Sequence, residues 1–192
     1  MLILKDGSYV TNLPKVLVAI PAYNEEECIE GTILELKRVA PDFDFVVIND
    51  GSRDCTLELC TNLGCNVINM LINCGLTVGF QTAACYALEN DYDYMVQFDA
   101  DGQHRPEYIS ELVSKAQFDN ADIVIGSRFL SMRKDMSMRM FGSRMITFLI
   151  KMLTGKRISD PTSGFRLFNR DVLKEYSCND ALNPEPESIA FF

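Results

Sequence analysis

Two carboxylates one residue apart, Asp99 and Asp101, directly follow the apolar run Tyr94 to Phe98. Hard divalent cations take oxygen ligands. A Mg2+ or Mn2+ ion held by one or two carboxylates keeps waters and accepts diphosphate oxygens as its remaining ligands. In extended backbone these two side chains would face opposite ways. A turn at the end of a strand removes that obstacle and lets both approach one ion. Such an ion neutralises charge on a departing nucleotide. Gln103 is the next candidate, for a metal-bound water or a phosphate oxygen, and His104 follows it. The competing reading is an Asp-rich turn that leads into a helix at Pro106. A single histidine rules out a multi-histidine metal site. Cys55, Cys60 and Cys65 recur at a spacing that matches no paired-cysteine zinc pattern.

Other polar groups also sit just after apolar runs. Asp50, in Asp50-Gly51-Ser52, can accept hydrogen bonds from a base or a ribose, while Ser52 or Asp54 reads as a helix N-cap. Tyr23 can flank a nucleobase and Glu25 can bind ribose, or the stretch Pro21 to Glu25 is simply a strand-to-helix turn. Asp160 is a candidate base or acceptor-orienting group. Arg166 is a candidate for bidentate phosphate binding, against the plainer reading of a turn. Arg128, after Gly126 and Ser127, is a candidate to face the same cleft.

Strands and helices must alternate to put these groups together. Val16–Ile20, Phe43–Ile48, Asn66–Leu71, Tyr94–Phe98 and Ile123–Ile125 read as buried strands. Glu25–Val39, Asp54–Leu63, Gln81–Glu89 and Pro106–Ala116 read as helices, the last with Pro at its first position. This order predicts an α/β fold with a mostly parallel central sheet and helices on both faces. Ligands in such sheets bind beyond the carboxyl ends of the strands, where the three acidic motifs fall.

The totals fit one domain over residues 1–192, with 47% hydrophobic and 23% charged residues. A formal net charge of −9 argues against nucleic acid as a partner. No secretory signal is read at the start, and no run reaches the roughly 18 apolar residues that span a bilayer. The seven cysteines are expected to be reduced core thiols of a cytoplasmic protein. Residues 128–157 differ from the rest. Arg128, Arg133, Lys134, Arg139, Arg144, Lys151, Lys156 and Arg157 stand against the lone acid Asp135, among many methionines and phenylalanines. This segment reads either as a helix at the surface of an anionic membrane or as a packed helix with a solvated basic face.

Taken together, five segments resemble the family 2 glycosyltransferases of GT-A (Rossmann-like) fold, and within them the dolichyl- and polyprenyl-phosphate sugar transferases. They are residues 18–26 (VAIPAYNEE), 47–54 (VINDGSRD), 97–106 (QFDADGQHRP), 125–128 (IGSR) and 160–166 (DPTSGFR). The likeness runs from about residue 14 to 187. It implies an inverting transfer of sugar from a UDP- or GDP-sugar to a polyprenyl or dolichyl phosphate, or to a glycan, assisted by Mg2+ or Mn2+. It implies that Pro21, Ala22, Tyr23, Glu25 and Asp50 line the nucleoside pocket and that Asp99, Asp101 and Gln103 hold nucleotide and metal. Arg128 would face phosphates, while Asp160 and Arg166 would shape the acceptor side. A lipid-phosphate oxygen is already anionic and needs no strong base, so Asp160 matters as a base only for a hydroxyl acceptor.

The chain departs from the family pattern in three places. Residues 73–83 (NCGLTVGFQTA) lie where relatives carry a more glycine-rich loop, and Asn49 stands where many place an Asp. The end after Glu187 reads as abrupt, so C-terminal truncation is expected. Two rival readings follow: a metal-dependent nucleotidyltransferase, which would be expected to show an early glycine-rich basic loop, and a non-catalytic nucleotide-binding remnant.

Overall fold

The computed structural model describes residues 13–102, 104–126, 163–179, 182 and 184. The strands are β1 (Val16–Ala22), β2 (Asp44–Asn49), β3 (Val67–Asn69), β4 (Tyr94–Gln97), β5 (Ile123–Ile125) and β6 (Arg166–Asn169). The helices are α1 (Ile29–Val39), α2 (Thr56–Asn62), α3 (Leu76–Glu89), α4 (Ile109–Asp119), preceded by a 3-10 turn over Pro106–Tyr108, and α5 (Arg170–Cys178).

The six strands form one sheet in the order β3-β2-β1-β4-β6-β5. β1 pairs in parallel with β2 and β4, and β2 with β3. β6 runs antiparallel to both β4 and β5. The mostly parallel sheet expected from the sequence is therefore present, with one reversed strand inserted beside β4.

Strands buried on both faces must be apolar at successive positions, and β1 is. Val16, Val18 and Ile20 pack on one face against α1 and α4, with Cys60 of α2 and Leu167 of β6. Leu17 and Ala19 pack on the other face against Phe80, Ala83, Ala84 and Ala87 of α3 and Val172, Leu173 and Tyr176 of α5. Each fully buried aliphatic side chain contributes about 1.5–3 kcal/mol. The small alanines of α3 bring that helix close to the sheet, and Phe80, Phe168 and Tyr176 fill the space beside them as edge-to-face rings.

The elements differ from the sequence expectation in particular ways. α1 starts at Ile29 rather than Glu25; a turn precedes it, in which the Glu25 carbonyl accepts the amides of Cys28 at 3.0 Å and Ile29 at 2.9 Å. α3 starts at Leu76, five residues before the expected Gln81, directly after Gly75 at φ 86°. β6 and α5 were not expected at all. The seven thiols are all free, but only Cys60 is buried. Cys55, Cys74, Cys85 and Cys178 are exposed, so the core placement expected for the cysteines is corrected. Burial pushes the Cys60 thiol up to about 11, helped by nearby Cys65. Gln103, Arg128, Asp160 and the basic segment 128–157 lie outside the described residues. Among the described residues no helix is long and apolar enough to cross a membrane.

Candidate functional site

The carboxyl ends of β1, β2 and β4 and the start of α3 surround one cleft of about 350 Å³. Its walls are Pro21, Ala22, Tyr23 and Glu25 after β1, Ile48 and Asp50 at β2, Asp99, Ala100 and Asp101 after β4, and Asn73, Gly75, Leu76 and Gly79 around the start of α3. All of the nucleoside-side candidates within the described residues, and both candidate metal carboxylates, thus share one cavity.

The loops after β1 and β2 hold each other in shape. Asn24 adopts φ 55°, its amide donates to Ser52 Oγ at 3.0 Å, and its Oδ1 accepts the Arg53 amide at 2.8 Å. The Glu25 amide donates to Thr56 Oγ1 at 2.8 Å and the Glu26 amide to Asp54 Oδ2 at 3.1 Å. Glu26 in return accepts the Cys55 amide at 3.0 Å. Asp54 is not the N-cap of α2, a place held by Cys55; it accepts the Thr56 amide at 3.0 Å and the Thr56 hydroxyl at 2.6 Å, a turn of the Asx kind. Slight desolvation opposes it, but these bonds from Thr56 and Glu26 hold the Asp54 carboxyl below its ordinary value.

Asp50 forms the opposite wall. It is buried, and its two oxygens accept the amides of Cys74 at 2.7 Å and Gly75 at 2.8 Å. Gly51 sits beneath the same turn at φ 65°, where a Cβ would come 2.5 Å from the Ile72 carbonyl carbon. Both residues therefore press the turn before α3 against the end of β2. Asn49 is buried and donates from Nδ2 to Asn69 Oδ1 at 2.6 Å, tying β2 to β3.

The Asp99–Asp101 turn is fixed from three sides. Thr32 of α1 donates its buried hydroxyl to the Ala100 carbonyl at 2.8 Å. His104 Nδ1 accepts the Asp99 amide at 2.9 Å. Gly164 backs onto the Asp99 carboxylate so closely that a Cβ would collide with it. Phe165 then packs on Phe98 and His104, and its carbonyl accepts the Gly126 amide at 2.8 Å. Gly126 is itself under the Phe165 ring, which leaves no room for a side chain there.

Arg166 is not in the cleft lining. It is buried at the start of β6, donating from Nε to the Ser163 carbonyl at 2.7 Å and from Nη1 to the Pro184 carbonyl at 2.8 Å. These bonds anchor the Ser163–Phe165 turn that abuts Asp99.

The electrostatics of the cleft are one-sided. The Glu25 carboxyl is pushed above its ordinary value, first by burial and then by repulsion from Asp101, Asp54 and Asp99. Among the described residues no group of three or more histidine, cysteine or carboxylate side chains is arranged to hold a metal ion. The donors on offer are Asp99 and Asp101, hard oxygen ligands in an acidic cleft. Such a set fits Mg2+ or Mn2+ shared with a diphosphate better than a closed protein cage.

Sequence reasoning did not single out Thr32 or Gly164. Residues 73–83 stood out only as a departure from the family's glycine-rich loop, and the structure puts Asn73, Gly75, Leu76 and Gly79 of that stretch in the cleft wall. The contacts of Thr32 and Gly164 join residues more than 60 positions apart and leave no local mark.

A mostly parallel sheet with one reversed strand, carrying its acidic loops on a single edge cleft, fits the GT-A fold of glycosyltransferases. The family model described as glycosyl transferase family 2 matches residues 17–177. The chain belongs to this family and is a glycosyltransferase. It is 29% identical over 180 residues to the polyprenol monophosphomannose synthase of Mycolicibacterium smegmatis, across 89% of this chain and 68% of that protein. It is 30% identical over 168 residues to the undecaprenyl-phosphate mannosyltransferase of Micrococcus luteus, across 83% of this chain and 68% of the relative. Its fold is similar to that of glucosyl-3-phosphoglycerate synthase from Mycobacterium tuberculosis in complex with Mn2+, UDP-glucose and phosphoglyceric acid. There the TM-score is 0.65 and the identity 20%, and the match covers 83% of this chain. The chain spans 57% of that structure's length.

Proposed function

We propose that this chain binds a UDP- or GDP-sugar in the cleft and transfers the sugar, with inversion, to a polyprenyl phosphate at the cytoplasmic face of a membrane. The observation that carries the reading is the meeting of Asp50, Glu25, Asp99 and Asp101 on one cavity, with Glu25 raised by burial and by its acidic neighbours. The names of the Mycolicibacterium and Micrococcus relatives support the acceptor. The Mn2+ and UDP-glucose of the Mycobacterium structure support the metal and the donor.

In this reading Pro21, Ala22, Tyr23 and Asp50 form the nucleoside pocket, and Glu25 reaches the ribose. Asp99 and Asp101, with Gln103, hold Mg2+ or Mn2+. Bound there, the ion neutralises charge that builds on the departing nucleoside diphosphate. Arg128 faces the phosphates. Asp160 serves the acceptor side, and Arg166 supports that side from within by holding the Ser163–Phe165 turn against Asp99. A phosphate acceptor arrives already anionic, so the work of the protein is in-line positioning. The segment 128–157 is the membrane-facing part.

The test is titration of UDP and GDP into the protein with and without Mn2+, followed by product analysis. Metal-dependent binding and release of nucleoside diphosphate on adding a polyprenyl phosphate support the reading. Release of pyrophosphate would make the chain a nucleotidyltransferase. Binding without turnover over a panel of donors and acceptors would make it a non-catalytic remnant.

A further inference from the structure

His104 closes the turn that carries Asp99 and Asp101, and the functional reading gives it no role. It is 7% exposed, with its ring between Phe98 at 5.4 Å and Phe165 at 5.2 Å. Both ends of Asp99 meet this ring. Nδ1 accepts the Asp99 amide at 2.9 Å, and Nε2 lies 3.4 Å from Asp99 Oδ2. A nitrogen that accepts a hydrogen bond carries no proton, so the neutral ring bears its proton on Nε2, beside the carboxylate. Gly164 blocks a further side of the same carboxylate. The Asp99 side chain remains 36% exposed and lines the cleft.

We propose that His104 is a positioning residue for Asp99: by holding its amide and bordering its carboxylate, the ring keeps that carboxylate turned to the cleft beside Asp101. This rests on the assignment of Asp99 to the cation. Partners that orient metal ligands without touching the metal have large effects on affinity, typically about 10- to 100-fold. The alternative is a ring that only fills space between two phenylalanines.

The two roles rank substitutions in opposite order. His104→Phe keeps an aromatic ring between Phe98 and Phe165 but offers the Asp99 amide no acceptor. His104→Asn loses the ring but places its Oδ1 where Nδ1 was, because both atoms are bonded to Cγ. The experiment is Mn2+ binding by the whole chain, followed through the paramagnetic resonance of free Mn2+ in the presence of UDP or GDP, with thermal melting of each variant alongside.

Positioning predicts that H104N binds Mn2+ within a small factor of wild type even if it melts lower. It predicts that H104F binds about tenfold more weakly or worse even if it melts higher. The reverse order, or equal Mn2+ binding by all three proteins, overturns the proposal. If H104F does not fold, His104→Gln, whose carbonyl lies one bond too far along, takes its place and must show the same loss. Failure of the wild type itself to bind Mn2+ overturns the cation assignment first and this inference with it, a result distinct from failure of the variants alone.

Discussion

Asp50→Asn tests how the cleft wall is built. The carboxylate holds two backbone amides, Cys74 at 2.7 Å and Gly75 at 2.8 Å, from a buried position at the end of β2. Asparagine keeps one acceptor oxygen and turns the other into an NH2 that faces a backbone N–H. One charge-assisted bond is lost, worth about 1.5–3 kcal/mol, and the donor left behind has no partner. The remaining bond loses its charge assistance, so a total near 3 kcal/mol is expected. The loss should stay local, because α3 is also held to the sheet by the buried Phe80, Ala83, Ala84 and Ala87. Hydrogen exchange reads it directly. The amides of Cys74 and Gly75 should exchange on the order of 100-fold faster in the variant, while amides in β1 and β4 stay protected. Nucleoside diphosphate binding should weaken in parallel, since Asn73, Gly75 and Leu76 are the wall that moves. Unchanged exchange at Cys74 and Gly75 would refute the clamp.

Three further outcomes follow from the same geometry. Thr32→Val keeps the shape of the side chain but takes the hydroxyl from the Ala100 carbonyl. It should lower stability by about 1–3 kcal/mol in urea unfolding, and Thr32→Ser should recover most of the hydrogen-bond part. Gly164→Ala should weaken Mn2+ binding far more than it lowers the melting temperature, because its Cβ meets the Asp99 carboxylate rather than the core. Glu25→Gln removes a carboxyl whose folded value lies above the ordinary 4.5. The folded state holds that proton more tightly than the unfolded one, so the contribution of Glu25 to stability falls as pH rises from 4.5 through the folded value. The glutamine variant should therefore melt higher than wild type at neutral pH, and the gap should close well below pH 4.5.

The parts of the fold legible in the sequence are those with buried periodicity. Val16 to Ile20 and Tyr94 to Phe98 read as strands because both faces are covered, and the acidic groups after them fall on one edge as parallel pairing requires. β6 was missed because only Leu167 and Phe168 are apolar within it, and its buried Arg166 is satisfied by the distant carbonyl of Pro184. α5 does carry a local signal: Asn169 accepts the Val172 amide at 2.9 Å as an N-cap, and Val172, Leu173 and Tyr176 recur at helical spacing. The early start of α3 was hidden by Gly79 and by the β-branched pair Thr77 and Val78, which weaken a helical reading. In the site, residue types marked Asp50, Asp99 and Asp101, but not what fixes them. Thr32 and Gly164 act through contacts that exist only once the sheet is assembled, while His104 acts through a short-range bond to the Asp99 amide that residue type alone does not announce.

In the proposed function Asp99 and Asp101 share one divalent ion at the mouth of this cleft. Crystals grown with Mn2+ and UDP or GDP, measured at the manganese absorption edge, would locate that ion. An anomalous peak between the two carboxylates, in contact with the diphosphate, is the expected result. A well-ordered nucleotide in the cleft with no manganese beside Asp99 or Asp101 would contradict it.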